Sequence, residues 1–221
     1  MEGQTEYPIR KMLSRIELLV ASYPKAAMFE LYERGYRSLF EQLVSCLISI
    51  RTMDETTIPV SLKLFGQARN PEELLRLDRE VLIELLHGST FPGQKADTMI
   101  AAAKVALQHG GKLPADFNVL TAIKGIGPKC ANLALGIATG FPAISVDVHV
   151  HRVVNRWGLI ETKTPEKTLA ALQEAVPKDL WIDVNRCLMP FGKFHCTLYS
   201  PKCSSCPVYN WCKRVGVTKH R

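Results

Sequence analysis

Four cysteines near the end of this chain, Cys196-x6-Cys203-x2-Cys206-x5-Cys212, commit the C-terminal segment to wrapping around whatever they jointly bind. One [4Fe-4S] cluster takes four thiolates, and three of them from a single tight loop with the fourth at the end of a preceding helix is a workable way to hold it. Zinc also accepts four cysteines, but structural zinc sites usually bring two close pairs, and here Cys203 and Cys206 form one. Disulfides fit poorly with seven cysteines, an odd number, and with an opening, MEGQTEYPIR, that lacks the apolar run of a secretory signal. The cluster is the leading reading, zinc the alternative, and a cytoplasmic setting suits both.

Charge narrows the partners. Lys and Arg outnumber Asp and Glu by 28 to 21, a formal charge of +7 over 221 residues, which favours an anionic partner, and nucleic acid is the commonest large one. No stretch approaches the roughly 18 uninterrupted apolar residues of a membrane span. The length suffices for one large domain or two small lobes sharing a groove.

Apolar residues recur at helical spacing almost throughout. Ile9, Met12, Leu13, Ile16, Leu19 and Val20 mark one buried face, and Leu39, Leu43, Leu47 and Ile50 another. Asn70-Pro71-Glu72-Glu73 reads as a helix start, with a capping side chain, a first-turn proline and carboxylates at the positive dipole end. Asp78 opens a helix that Gly88 closes, and an alanine-rich helix runs from Gln94 to His109 before Gly110-Gly111 stops it. No run alternates with period two, so the expectation is an all-α fold.

Ile123-Lys124-Gly125-Ile126-Gly127-Pro128-Lys129 is the next chemical feature. Two glycines around one apolar residue make a tight hairpin in which Ile126 plugs the core and backbone amides point outward, while the helix beginning at Pro128 adds its own unpaired amides. A phosphate is the natural ligand, although a helix end followed by a turn and an N1 proline looks much the same. Further on, Asp147 opens a helix through Val153, Val154 and Trp157 and has an ordinary role as its N-cap.

Taken together, Gly125-Ile126-Gly127-Pro128-Lys129, Val146-Asp147-Val148-His149, Asn155-Arg156 and the cysteine spacing resemble the endonuclease III family of DNA glycosylases, in the helix-hairpin-helix superfamily. The resemblance runs from about Phe40 to Cys212. It implies two helical lobes with a substrate groove between them: a six-helix domain at residues 32–141, and a second lobe built from residues 1–31 and 142–221 that carries the [4Fe-4S] cluster on Cys196, Cys203, Cys206 and Cys212. It further implies a monomeric bifunctional glycosylase and abasic-site lyase of base-excision repair, cytoplasmic or nucleoid-associated, acting on oxidised pyrimidines or abasic sites in double-stranded DNA.

Lys129 matches the family's nucleophile, whose neutral amine attacks C1′ of a flipped nucleotide and leaves a Schiff base, and Asp147 matches its essential aspartate. Gly125, Ile126 and Gly127 are then the hairpin that binds DNA, and the cluster's default role is structural, with redox sensing the weaker alternative. His149 is a candidate neighbour of the pocket, while His151 and His195 carry no assignment. Cys46, Cys130 and Cys187 read as small buried residues.

Several positions depart from the family pattern. Arg51 stands where a glutamine usually fills the gap left by the flipped nucleotide, Met53 where a smaller polar residue is usual, and Lys124 where the hairpin usually has proline. The second wedge loop, His87 to Lys95, reads as one residue longer than typical, with Phe91 either an intercalating wedge or a core residue. The cysteine loop offers only Lys202 between Thr197 and Lys202. These departures sustain a second reading, an iron-sulfur DNA-binding protein with narrowed activity: abasic-site lyase alone, or a mismatch or alkylated-base glycosylase.

Overall fold

The computed structural model describes residues 8–221, and among them every regular element is helical. Contacts divide the chain into two units, Ala26–Phe141 on one side and the residues before Ala26 with Pro142–Arg221 on the other.

The first unit holds α2 (Ala27–Glu33), α3 (Leu39–Ser49), α4 (Asp54–Phe65), α5 (Pro71–Arg76), α6 (Arg79–Leu85), α7 (Pro92–Gln108), α8 (Phe117–Ala122) and α9 (Pro128–Thr139). At its centre lies α3, where every residue from Phe40 to Ile48 is buried among α2, α4, α7 and α9. Such a helix needs a firm start. Ser38 and Glu41 form a reciprocal capping box, and the Glu41 carboxylate, itself buried, is paired with Arg69 at 2.7 Å. Eight helices therefore stand where six were expected, and the unit begins at Ala26 rather than residue 32 because Met28 and Leu31 of α2 are buried, Met28 in this unit's core. Ile50, expected in the core, is 40% exposed because α3 ends at Ser49 and the chain turns there.

The second unit joins α1 (Ile9–Val20) to α10 (Val148–Trp157), α11 (Pro165–Ala175) and α12 (Trp181–Phe194). Ile9, Met12, Leu13 and Ile16 of α1 are buried in one core with Val150, Val153, Val154 and Trp157 of α10 and Val184, Leu188 and Phe191 of α12. Each large side chain so buried contributes about 1.5–3 kcal/mol. Cys196 and Val208 belong to the same core, so the cysteine loop is packed as part of the unit.

Helix starts follow the capping rules. Asn70 accepts from the Glu73 amide at 2.9 Å ahead of Pro71. Asp78 occupies the N-cap position of α6 without a side-chain cap. The alanine-rich helix starts at Pro92, two residues earlier than expected, since proline suits a first turn and Phe91 ahead of it turns the chain in the left-handed region.

Candidate active site and cysteine cradle

The hairpin joins α8 to α9. Ile126 is buried, its amide closes a turn onto the Ile123 carbonyl at 3.0 Å, and Gly125 takes φ +96°. A Cβ on Gly125 would stand 2.3 Å from Thr98 Oγ1 of α7, so glycine is required both by the backbone and by the close approach. Gly125→Ala is expected to destabilise the chain by about 1–2 kcal/mol and to displace the hairpin from α7. Weakened binding to any duplex with helix content retained, followed by circular dichroism and fluorescence anisotropy, is the outcome to look for.

Gly127 caps α9, Pro128 occupies its first position, and Lys129 follows, exposed in the first turn where the helix amides have no intrahelical carbonyls. The buried Cys46 of α3 feels the Lys129 charge, so the lysine stands near the junction of α3 and α9. Gly125, Ile126, Gly127 and Lys129 are thus assembled in one place.

Arg51 and Phe91 are also brought together. Both lie in the left-handed region, at φ 53° and 52°, and the Arg51 guanidinium sits 5.8 Å from the centre of the Phe91 ring, which is 53% exposed. Phe91 does not pack inward. Beneath the pair lies a residue that sequence reasoning passed over: Lys95, 6% exposed, whose ammonium donates to Ile48 O at 2.7 Å, Thr52 Oγ1 at 3.0 Å and Thr90 Oγ1 at 3.4 Å.

Burial pushes Lys95 down to about 8. Between that value and the ordinary lysine range, about 10.4, the unfolded chain holds a proton that the folded chain has lost, so folding stability rises with pH across this window. Below about pH 8 the buried charge opposes folding in full. The stability of the wild type relative to Lys95→Met, from denaturant titrations, is expected to improve steadily from pH 8 to pH 10.

Asp147 belongs to the other unit. Its Oδ1 accepts the amides of His149 and Val150, each at 2.8 Å, an N-cap for α10 that leaves the carboxylate partly exposed. His149 Nδ1 meets Arg152 Nη2 at 3.1 Å; because arginine can only donate, the histidine is fixed with its proton on Nε2. Arg152 also donates to Gly192 O and to Cys196 O, so one guanidinium ties His149 to the start of the cysteine loop. His151 is structural, its Nδ1 2.6 Å from Thr168 Oγ1.

Cys196, Cys203, Cys206 and Cys212 line one cavity with Arg156, Trp157, Phe191 and His195. Among the described residues no three His, Cys, Asp or Glu side chains converge on a point suited to a single ion. Arg156, 8% exposed, lies 3.6 Å from Cys196 Sγ and clamps the loop through Thr197 O and Leu198 O, both at 2.5 Å. The Arg214 amide donates to Cys212 Sγ at 3.4 Å. His195 is buried, stacks on Phe191, and its Nε2 has no partner. Burial, helped by the neighbouring cysteines, pushes the Cys206 thiol up to about 12 and raises Cys203 and Cys212.

These features fit a thiolate-bound group: a cation and a backbone N–H already face the sulfurs, and a metal supplies the charge that burial otherwise forbids. His195 was missed because nothing marks it in sequence except its place beside Cys196. Arg214 folds back on Tyr209 and donates to the Tyr209 and Cys212 carbonyls, while Leu198 and Tyr199 are exposed.

Residues 44–178 match the model of the HhH-GPD superfamily of base excision DNA repair proteins. The chain is 37% identical to endonuclease III of Thermotoga maritima over 79% of its own length and 82% of that protein's. The chain belongs to the endonuclease III family. Endonuclease III of Escherichia coli is 31% identical over 82% of this chain and 86% of its own. A solved structure of a trapped endonuclease III–DNA covalent intermediate superimposes with a TM-score of 0.81 and 26% identity, covering 96% of this chain and 97% of that one. The endonuclease III fold thus extends over nearly the whole molecule.

Proposed function

We propose that this chain is a bifunctional DNA glycosylase and abasic-site lyase that removes oxidised pyrimidines from duplex DNA through Lys129. Family membership, with a lysine exposed in the first turn beyond the hairpin, is the observation that carries the reading. The damaged nucleotide leaves the stack because its glycosidic bond is inaccessible within a duplex. The hairpin amides around Gly125 to Gly127 hold backbone phosphate, the Lys129 nitrogen bonds to C1′, and the C1′–N bond breaks as the base departs with a proton. The C1′–O4′ bond then opens, O4′ taking the proton left on the lysine nitrogen, and the imine so formed acidifies the 2′ hydrogen; its removal and rupture of the 3′ C–O bond cleave the strand, and water then releases the lysine. Asp147 Oδ1 is committed to the helix cap, so Oδ2 is the oxygen assigned to stabilise positive charge at the sugar.

The four cysteines are proposed to hold a [4Fe-4S] cluster, with Arg156 offsetting its charge and His195 Nε2 free to donate to a sulfur. When bound, the cluster supplies a cross-link that fixes the loop. No helix among the described residues is long and apolar enough to cross a membrane, and the proposal places the enzyme, as a monomer, on chromosomal DNA in the cytoplasm.

Borohydride trapping on duplexes bearing thymine glycol, dihydrouracil or an abasic site tests the reading. Adducts with all three are expected. Adducts confined to the abasic site make the chain a lyase with a narrowed entrance, and none at all overturns the proposal.

A further inference from the structure

Two loops that the sequence separates by some forty positions are built as one object. The chain leaving α3 passes through Ile50, Arg51 and Thr52, and the chain entering α7 passes through Thr90 and Phe91. Thr90 donates its amide to Thr52 Oγ1 at 3.2 Å and its hydroxyl to Ile50 O at 2.9 Å, and the two threonine hydroxyls are 3.2 Å apart. Lys95 Nζ closes the set by reaching the end of α3 and both hydroxyls at once.

A buried ammonium is costly unless its donors are used, and here all three of its hydrogens have an acceptor within reach. The neighbouring charges are engaged elsewhere: Arg51 lies over Phe91, and Asp97, two residues along α7, is held by Arg79 at 2.7 Å. Lys95 therefore acts on the loops and not on a carboxylate. Above it, Arg51 and Phe91 each hold a left-handed backbone that non-glycine residues avoid at a cost of about 1–2 kcal/mol. Two such conformations side by side persist only when something over-determines them. Lys95 and the threonine pair supply that constraint, and the product is an exposed arginine stacked on an exposed aromatic ring.

We propose that Lys95 is a positioning residue that clasps the two loops so that Arg51 and Phe91 act as a single preformed wedge for lesion-containing duplex DNA. This rests on the glycosylase reading above. A wedge assembled in advance loses little freedom on insertion, so its benefit is confined to duplexes with a gap to fill. Plain duplex, held by phosphate contacts, should be indifferent to it.

The test is a double-mutant cycle read as the ratio of affinities for a duplex with a tetrahydrofuran abasic analogue and for the same duplex undamaged. Lys95→Met keeps the length of the side chain and removes its donors. It is expected to lower the ratio about tenfold, the loss of one charged hydrogen bond, with undamaged-duplex affinity unchanged. Lys95→Arg should restore part of the ratio. In an Arg51→Ala, Phe91→Ala background, Lys95→Met should change nothing further, because no wedge remains to position. Equal losses from Lys95→Met in both backgrounds, or an equal loss on undamaged duplex, overturn the inference while leaving the glycosylase reading intact. A wild-type chain that does not prefer the abasic duplex overturns both.

Discussion

Lys129→Gln is expected to abolish borohydride-trapped adducts on every substrate and to lower base release by about a thousandfold or more. Glutamine approximates the length and polarity of lysine but offers no amine to bond C1′, so the covalent route closes completely. Binding should survive. Lys129 is exposed, and its side chain contributes little to the packing of α9, whose buried face runs from Cys130 to Ile137. The hairpin amides are backbone groups and are untouched. Affinity for abasic duplex within a few-fold of wild type, with trapping lost, separates a missing nucleophile from a misfolded site. Asp147→Asn is the informative companion, because asparagine caps helices as well as aspartate does. It removes the charge and keeps α10 started, so a slower reaction at unchanged stability is its expected signature. An adduct that persists in Lys129→Gln assigns the nucleophile to another amine.

The second large effect concerns the cysteine loop. Cys206→Ala is expected to deprive the protein of iron, abolish its broad visible absorption and lower stability by about 3 kcal/mol or more, about 10–20 °C in Tm for a unit of this size. Alanine is chosen because a serine oxygen can still ligate iron. The size of the effect follows from where the loop sits. Cys196 and Val208 are buried in the same core as Trp157 and Phe191, with Cys206, Trp211 and Cys212 packed against it. The loop has little regular structure of its own, only short 3-10 turns at Cys203–Ser205 and Tyr209–Trp211. Hydrogen exchange should accelerate first between residues 200 and 217, then along α10 and α12. A colourless wild-type protein containing one zinc per chain replaces the cluster by the alternative ion.

Helices were legible because burial on one face imposes a period of 3.6, which α1 and α10 display, and because Asn70 and Asp147 are side chains whose chemistry marks a helix start. The hairpin was legible only in company: two glycines around Ile126 look much like a helix end and a turn, and the aspartate and cysteine motifs further along singled them out. Lys95 was not. A lysine in an alanine-rich helix reads as solvated, and the acceptors that bury it come from α3 and from a loop some forty residues away in sequence. The left-handed turns at Arg51 and Phe91 were equally hidden, for neither residue favours that backbone and tertiary contacts impose it. The six-helix count came with the family resemblance; the starts of α5 and α6 were legible at Asn70 and Asp78, whereas α2, seven residues long, gives too few repeats for periodicity to declare itself.

Helix α10 is a stiff rod with Asp147 at its head and the cysteine loop fastened to its tail. Arg156 grips the loop carbonyls, and the amides of Lys213 and Val215 bond back to the Trp157 and Arg156 carbonyls. Ten residues at 1.5 Å each make a lever arm of about 15 Å. A tilt of about 4° at the tail swings the head by about 1 Å, a displacement that in enzymes generally can cost about a hundredfold in rate. A shift of the loop at the tail is thereby carried along the helix as motion of the carboxylate at its far end.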